Sequence, residues 1–298
     1  MGDEHRISFT VPLYEPMPPQ YFVKVVSDRW LHAETSLPIS FKHLLLPEKF
    51  TAPTQLQDLY PRLVRDLQFE EVEQLYSQKD GLTEFNPIQT QVFSKVYLSD
   101  ESVFIGAPSG SGLLTCAELA IFRELQSEDG GKILYIAPNN LLCEAVYANW
   151  QKRLMGELGL QIVMIDPAHS FAQQANQMQQ ADIIIATPAC WDTLSRRWRT
   201  RKVLHQITVC IFDQLHLLSP AYEVVVSRCR LMQSELSDAT LPGKSAPRPI
   251  RIVGLACPIA NGRDIAMWLG VSMEGGAYSN FSPSVRPTPI EKSVQTFD

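Results

Sequence analysis

A glycine-rich stretch at residues 106–114, GAPSGSGLL, has the composition of a phosphate-binding loop without that loop's reactive side chains. An apolar run precedes it and a helical pattern follows it, which is the strand–loop–helix setting that such a loop requires. A working loop carries Lys and then Ser or Thr after its last glycine, to hold the β- and γ-phosphates and Mg²⁺. Leu113 and Leu114 occupy those two positions. The missing ammonium removes an attraction of up to about 4 kcal/mol at an effective dielectric of about 20.

Taken alone, this loop is either a degenerate nucleotide site or a Gly/Ser turn that never bound nucleotide. Two further motifs favour the first interpretation. Residues 85–91, FNPIQTQ, resemble the adenine-reading Q motif of superfamily 2 helicases, in which a Gln amide pairs as donor and acceptor with the base. Residues 185–188, IATP, resemble the helicase motif that contacts the nucleic-acid backbone, although an ordinary strand-to-helix turn explains them equally well.

Residues 210–216, CIFDQLH, follow a buried-strand pattern and resemble a DExH box. In that motif Asp holds Mg²⁺ through water and Glu deprotonates the attacking water. Asp213 is retained, but the Glu position is Gln214, and loss of a general base typically costs about 10²–10⁴-fold in rate. Residues 255–258, LACP, stand at the helicase Ser-Ala-Thr motif and carry neither hydroxyl. Because these losses occur together, they predict a site that no longer hydrolyses ATP.

The sequence therefore predicts no catalytic residue, and no metal site unless Mg²⁺ were bound at Asp213. No cofactor is expected, and ATP with Mg²⁺ would bind only weakly. The degenerate nucleotide site is predicted to comprise Phe85, Gln89, Ser109, Gly110, Ser111, Gly112, Leu113, Leu114, Asp213 and Gln214.

The elements that must position these residues alternate between strand and helix. Short apolar runs predict strands at residues 103–107, 133–137, 162–165, 183–186, 209–212 and 250–255. Helical patterns lie at residues 115–126, 141–154, 190–198, 222–236 and 261–269. Continuous apolar strands that alternate with helices predict a parallel sheet covered on both faces, with ligands at the carboxyl ends of the strands. The fold class is α/β, a doubly wound RecA-like P-loop NTPase domain.

Net charge, cysteine spacing and the length of apolar runs limit the classes of partner that the chain is expected to bind. The 298 residues carry a net charge of −6, so nucleic-acid binding would need a local basic patch and is expected to be weak. A basic run at residues 196–202 offers such a patch, and a helix end with favourable cations is the alternative. Possible RNA or partner contacts are Thr187, Arg196, Arg197 and Arg199. Six cysteines without metal-ligand spacing indicate a reduced compartment, and no apolar run is long enough to predict a membrane partner.

Several segments, among them residues 11–22, 25–30, 45–50, 85–93 and 194–198, closely resemble the large two-cassette DExH RNA helicases of the spliceosomal U5 snRNP. The resemblance covers essentially the whole chain. It implies that residues 1–30 are the last strands of an upstream immunoglobulin-like domain, in agreement with strand patterns at residues 5–11 and 20–26. It further implies an extended inter-cassette linker at residues 31–65, a degenerate RecA-like domain at 66–275, and a connector at 276–298 toward a second RecA-like domain.

Such helicases unwind U4/U6 RNA through their N-terminal cassette, and the C-terminal cassette regulates it and binds splicing factors. The resemblance thus implies a nuclear pseudo-ATPase domain that serves pre-mRNA splicing as a regulatory and protein-interaction platform. Its partners would be splicing factors and the N-terminal cassette. The alternative is a weakly ATP-binding or RNA-contacting domain of an active ATP-dependent RNA helicase, with a relocated lysine such as Lys95 or Lys132.

Overall fold

The computed structural model describes residues 6–11, 18–41, 52–127, 130–238, 249–273, 275–290 and 293. Backbone contacts divide the chain into two compact units, Met1–Lys49 and Phe50–Asp298. Within the described residues no helix is long and apolar enough to cross a membrane, and no cluster of potential metal ligands is present.

The first unit contains an antiparallel hairpin of β1 (Tyr21–Val26) and β2 (Glu34–Ile39), in which Tyr21 faces Ile39. The strand predicted at residues 20–26 is confirmed. The strand predicted at residues 5–11 is wrong over its described part, because residues 6–11 form no strand. The linker prediction also needs correction, since β2 lies inside residues 31–65. Its sequence, ETSLPI, alternates too weakly to be recognised without its partner strand.

The second unit is built on seven parallel strands in the order β5-β6-β4-β7-β8-β3-β9. The strands are β3 (Val103–Gly106), β4 (Lys132–Ile136), β5 (Ile162–Met164), β6 (Ile183–Ala186), β7 (Ile207–Phe212), β8 (Arg251–Ala256) and β9 (Tyr278–Asn280). Six of them match predicted strands. Most of their side chains are buried on both faces, as expected of a parallel sheet between helical layers.

The helices are α1 (Glu70–Gln74), α2 (Pro87–Val96), α3 (Leu113–Leu125), α4 (Asn140–Trp150), α5 (Gly156–Leu158), α6 (Phe171–Gln180), α7 (Pro188–Ser195), α8 (Pro220–Asp238) and α9 (Gly262–Leu269). All five predicted helices are present. Helix α4 continues into a π-helical turn, Gln151–Met155. The glutamine-rich α6 was missed because most of its side chains are polar, so its few apolar residues give no conspicuous pattern.

The register of the sheet brings the functional loops together. Gly106 pairs with Ala256, and Phe212 pairs with both Ile136 and Gly254, so β7 and β4 end together, and β8 and β3 end together two residues further on. The loops that follow these strands therefore leave from the same edge, as in other open parallel sheets.

The predicted limits of the RecA-like domain, residues 66 and 275, are too narrow. Strand β9 lies in the predicted connector yet pairs with β3. On the other side, Thr54 bridges to Phe281 and Leu63 bridges to Glu84, so part of the predicted linker is integrated into the same unit. These pairings link residues far apart in sequence, which is why local patterns did not reveal them.

A buried ion pair joins three helical segments behind the sheet. Glu118 on α3 is 1% exposed and accepts hydrogen bonds from Tyr76 Oη at 2.7 Å and Trp150 Nε1 at 2.9 Å. Arg153 Nη1 lies 2.6 Å from Glu118 Oε1, and the same guanidinium binds Asp80. The carboxylate is thus fully surrounded by donors, and removing its cation leaves a buried charge.

We expect Arg153→Met to lower the free energy of unfolding by about 3–5 kcal/mol, since breaking a buried pair leaves an uncompensated carboxylate. Urea unfolding measures this change. Lys79→Met is the matched control, because its pair with Glu157 is exposed and is worth about 1 kcal/mol at most. Equal losses of unfolding free energy in the two variants would show that the buried ion pair stabilises the fold no more than the exposed one.

Candidate functional site

The phosphate loop joins β3 to α3 and depends on two glycines with left-handed backbone. Gly110 has φ 85° and Gly112 has φ 74°, and Gly112 caps α3. A Cβ on Gly112 would lie 2.2 Å from Gln89 Nε2, so the loop tolerates only glycine there. This local structure is that of an intact phosphate loop, although Leu113 and Leu114 begin the helix.

Gln89 holds the loop instead of facing a base. Its Oε1 accepts from the Asn86 backbone N–H at 3.0 Å, and its Nε2 donates to the Gly112 carbonyl at 3.2 Å. Asn86 Nδ2 donates to the Ser111 carbonyl at 2.9 Å. Gln89 is 4% exposed and Phe85 is 1% exposed. The two side chains predicted to meet adenine are therefore buried, and the Asn-x-x-Gln spacing serves as a capping box for α2.

The remaining predicted residues meet around a cleft of about 390 Å³ at the carboxyl edge of the sheet. Among them, Leu113 and Leu114 are half-buried and pack on the hydrophobic core. The predicted site residues that line this cleft are Ser109, Gly110, Gly112, Leu113, Leu114, Asp213 and Gln214. Phe85, Gln89 and Ser111 do not line it. Ser111 is 1% exposed, and its Oγ has no hydrogen-bond partner among the described residues.

Asp213 follows β7 and is held by two donors. Tyr135 Oη donates to Asp213 Oδ2 at 2.7 Å, and the Gln214 backbone N–H donates to Oδ1 at 2.8 Å. Burial raises the pKa of Asp213, and the Tyr135 hydrogen bond only partly offsets this effect. Gln214 has φ 51°, which turns the chain sharply after the strand.

Some residues that position Asp213 were not predicted. Tyr135 lines the cleft and binds the Asp213 carboxylate, and the buried Tyr222 binds the Asp213 backbone carbonyl. Nothing in their sequence context marks either tyrosine. His216 accepts the Cys257 N–H on Nδ1 at 3.1 Å, and burial lowers its pKa, so it is neutral at neutral pH. This contact joins the DExH-like loop to the loop after β8. The position of His216 within the DExH-like pattern was the available signal.

The cation nearest the phosphate loop is Arg286. Its Nη2 lies 2.9 Å from where a Cβ on Gly110 would stand, and its buried Nε has no hydrogen-bond partner among the described residues. The guanidinium lines a neighbouring cavity of about 430 Å³ rather than the cleft itself. The lysines considered as replacements are elsewhere: Lys95 pairs with Glu101, and Lys132 donates to the carbonyls of Gln179 and Ala181.

Two of the five cations in the basic run form ion pairs with described residues. Arg196 pairs with Asp192, and Arg199 pairs with Glu235. Arg197 forms no ion pair with a described residue. Thr187 is 7% exposed, and its hydroxyl accepts the Cys190 N–H as the cap of α7. Of the four residues predicted to contact RNA or a partner, the three arginines are exposed and Thr187 is buried.

The raised pKa of Asp213 predicts a pH-dependent stability. A carboxyl whose pKa is higher in the folded state costs stability once it ionises, so stability falls as pH rises through that pKa. Asp213→Asn resembles the protonated form and is expected to be more stable than the native chain at pH 7. Below the unfolded pKa of about 3.9 the difference should vanish. Urea unfolding at several pH values tests this, and a less stable variant at pH 7 would contradict it.

Comparison with known proteins agrees with the arrangement of these loops. The DEAD/DEAH box helicase family matches residues 86–250, and the Sec63 Brl domain matches residues 1–40. The U5 small nuclear ribonucleoprotein 200 kDa helicase of Homo sapiens is 45% identical over 300 residues, which cover 99% of this chain and 13% of that protein. The pre-mRNA-splicing factor brr2 of Schizosaccharomyces pombe is 43% identical over 299 residues, again 99% and 13%.

The chain spans 13% of the length of these relatives. A solved structure of the DUF1998 helicase MrfA bound to DNA and AMPPNP superposes with a TM-score of 0.60 at 18% identity, and the match covers 76% of this chain and 31% of that one. This likeness shows the RecA-like fold, in agreement with the seven-stranded parallel sheet. With more than half of its residues matched, the chain belongs to the DEAD/DEAH box helicase family.

Proposed function

We propose that this chain is a pseudo-ATPase RecA-like domain that acts as a regulatory and protein-interaction platform within a nuclear pre-mRNA-splicing helicase. The printed names of its relatives support the splicing context, and splicing factors and another helicase cassette are the partners we propose. The composition of the cleft is the observation that supports the proposed loss of ATP hydrolysis. Leu113 and Leu114 replace the phosphate and metal ligands, Gln214 replaces the base, and no lysine or arginine of the described residues lines the cleft.

Electrostatics disfavour nucleotide in this cleft. ATP carries several negative charges, and the charged side chain in the lining is the carboxylate of Asp213. Two leucines cannot coordinate Mg²⁺, which requires oxygen ligands. The loop backbone N–H groups and the α3 dipole remain, but they alone do not compensate for the lost ammonium.

We expect the native chain to show no measurable affinity for a fluorescent ATP analogue at millimolar nucleotide with Mg²⁺. The double variant Leu113→Lys, Leu114→Thr should gain binding but little hydrolysis, because Gln214 cannot take a proton. Anisotropy measures binding, and phosphate release measures hydrolysis. The matched control adds Gln214→Glu to the double variant. Tight binding by the native chain, or strong hydrolysis by the double variant, would contradict the proposal.

Weak nucleotide binding is the second candidate function, and the position of Arg286 against Gly110 favours it. If this guanidinium replaced the lysine, the native chain would bind the analogue detectably. Arg286→Ala would then abolish that binding in the same titration.

For RNA, we expect a small effect of the basic run, since two of its arginines are already paired. Neutralising Arg196, Arg197 and Arg199 to Gln should weaken RNA binding by less than about threefold and change its salt dependence little. Anisotropy with single-stranded RNA across salt concentrations measures both. The control neutralises Arg62, Arg65 and Lys79, which are also exposed. A large loss specific to the first variant would instead establish an RNA platform at α7.

A further inference from the structure

The cleft lies where a nucleotide would bind in this fold, but its lining is largely apolar. Leu113 and Leu114 form an apolar wall with Leu142 and Val146 of α4, at the place where polar phosphate ligands would stand. The cavity of about 390 Å³ is larger than a single amino-acid side chain. An apolar chain entering it would therefore contact hydrocarbon rather than charged groups.

One charged side chain, Asp213, lies among the residues that line the cleft, and no described lysine or arginine forms an ion pair with it. His216 contributes no positive charge at neutral pH, because burial lowers its pKa. Asp213 Oδ2 accepts a hydrogen bond from Tyr135, Oδ1 accepts one from the Gln214 backbone, and the Gln214 side chain also interacts with the carboxyl. An ionised carboxylate has about four lone-pair sites, so these neutral donors do not fill its capacity to accept hydrogen bonds.

We propose that this cleft binds the side chain of an arginine from a partner protein, with its aliphatic stem against Leu113 and Leu114 and its guanidinium on Asp213. The inference rests on the proposed function and names the chemistry by which the platform would recognise a partner. Charge complementarity supports it, since a cation compensates the buried carboxylate whereas a phosphate would be repelled.

Arginine suits this site better than lysine. Its planar guanidinium carries five N–H donors in a fixed fork, so it can reach whichever lone pairs of the Asp213 carboxylate face the cleft, and it stays charged in a partly buried site. Its stem buries hydrocarbon while the head remains polar, as the leucine wall and the carboxylate require. Arg286 of this chain does not fill the role, because it lines the neighbouring cavity.

The test is a titration of the 298-residue chain with n-butylguanidinium, which carries a stem and a guanidinium without a peptide. Leucine methyl NMR signals, assigned through conservative substitutions at Leu113 and Leu114, report binding inside the cleft. We expect saturable shifts with a dissociation constant of about 1 mM, in keeping with a ligand of this size. The uncharged isostere n-butylurea should bind about tenfold more weakly, because charge-assisted hydrogen bonds are the stronger ones.

Asp213→Asn should weaken n-butylguanidinium about tenfold while leaving n-butylurea nearly unchanged. Leu113→Lys, which places a cation in the cleft, is a second variant and should abolish guanidinium binding by repulsion. Both variants are checked for folding by their methyl spectra. The proposal is overturned if n-butylguanidinium produces no saturable shift, if n-butylurea binds equally well, or if Asp213→Asn binds n-butylguanidinium as tightly as the native chain.

The same spectra separate this inference from the proposed function. Saturable shifts with Mg²⁺-ATP would contradict the pseudo-ATPase proposal, whatever the guanidinium does. No response to ATP together with no response to n-butylguanidinium would leave the pseudo-ATPase proposal standing and reject the arginine site.

Discussion

The parallel register of the sheet is the constraint on which the rest of the structure depends. Because β3, β8, β7 and β4 run parallel and end within two residues of one another, the phosphate loop, the DExH-like loop and the loop after β8 meet at one edge. The strand pairing fixes where these loops lie, whatever side chains they carry into the cleft.

Side chains around the phosphate loop reinforce this geometry from inside the protein. Gln89 and Asn86 hold the carbonyls of Gly112 and Ser111, so the loop keeps its curled shape without a ligand. The hydrogen bonds also give Gln89 a structural role that needs no nucleotide, because they stabilise α2 and the loop together. A motif can therefore identify ancestry while its side chain performs a structural role.

The sequence predicted the fold class, six of the seven strands of the sheet and the cleft residues that follow them, because short apolar strands and glycine-rich loops are local signals. It did not predict β2 or β9, whose sequences reveal little without their partner strands. It could not reveal that the side chains of Gln89 and Phe85 are buried outside the cleft lining, since exposure to a cleft depends on packing between distant segments. The pairing of Arg199 was equally invisible, because Glu235 lies on another helix and is distant in sequence. The pair between Arg196 and Asp192 has i,i+4 spacing and was readable from the sequence.

The hydroxyl of Tyr222 connects helix α8 to the sheet. It lies 2.6 Å from the Asp213 carbonyl oxygen and 3.1 Å from that of Ile136, so α8 is fastened to the ends of two central strands. On the same helix, Arg228 binds Asp192 and Ser195 of α7. A force that displaces the turn at Asp213 must either break these bonds or pull α8 and α7 along with it. Helices α7 and α8 therefore connect the cleft mechanically to the outer surface of the domain.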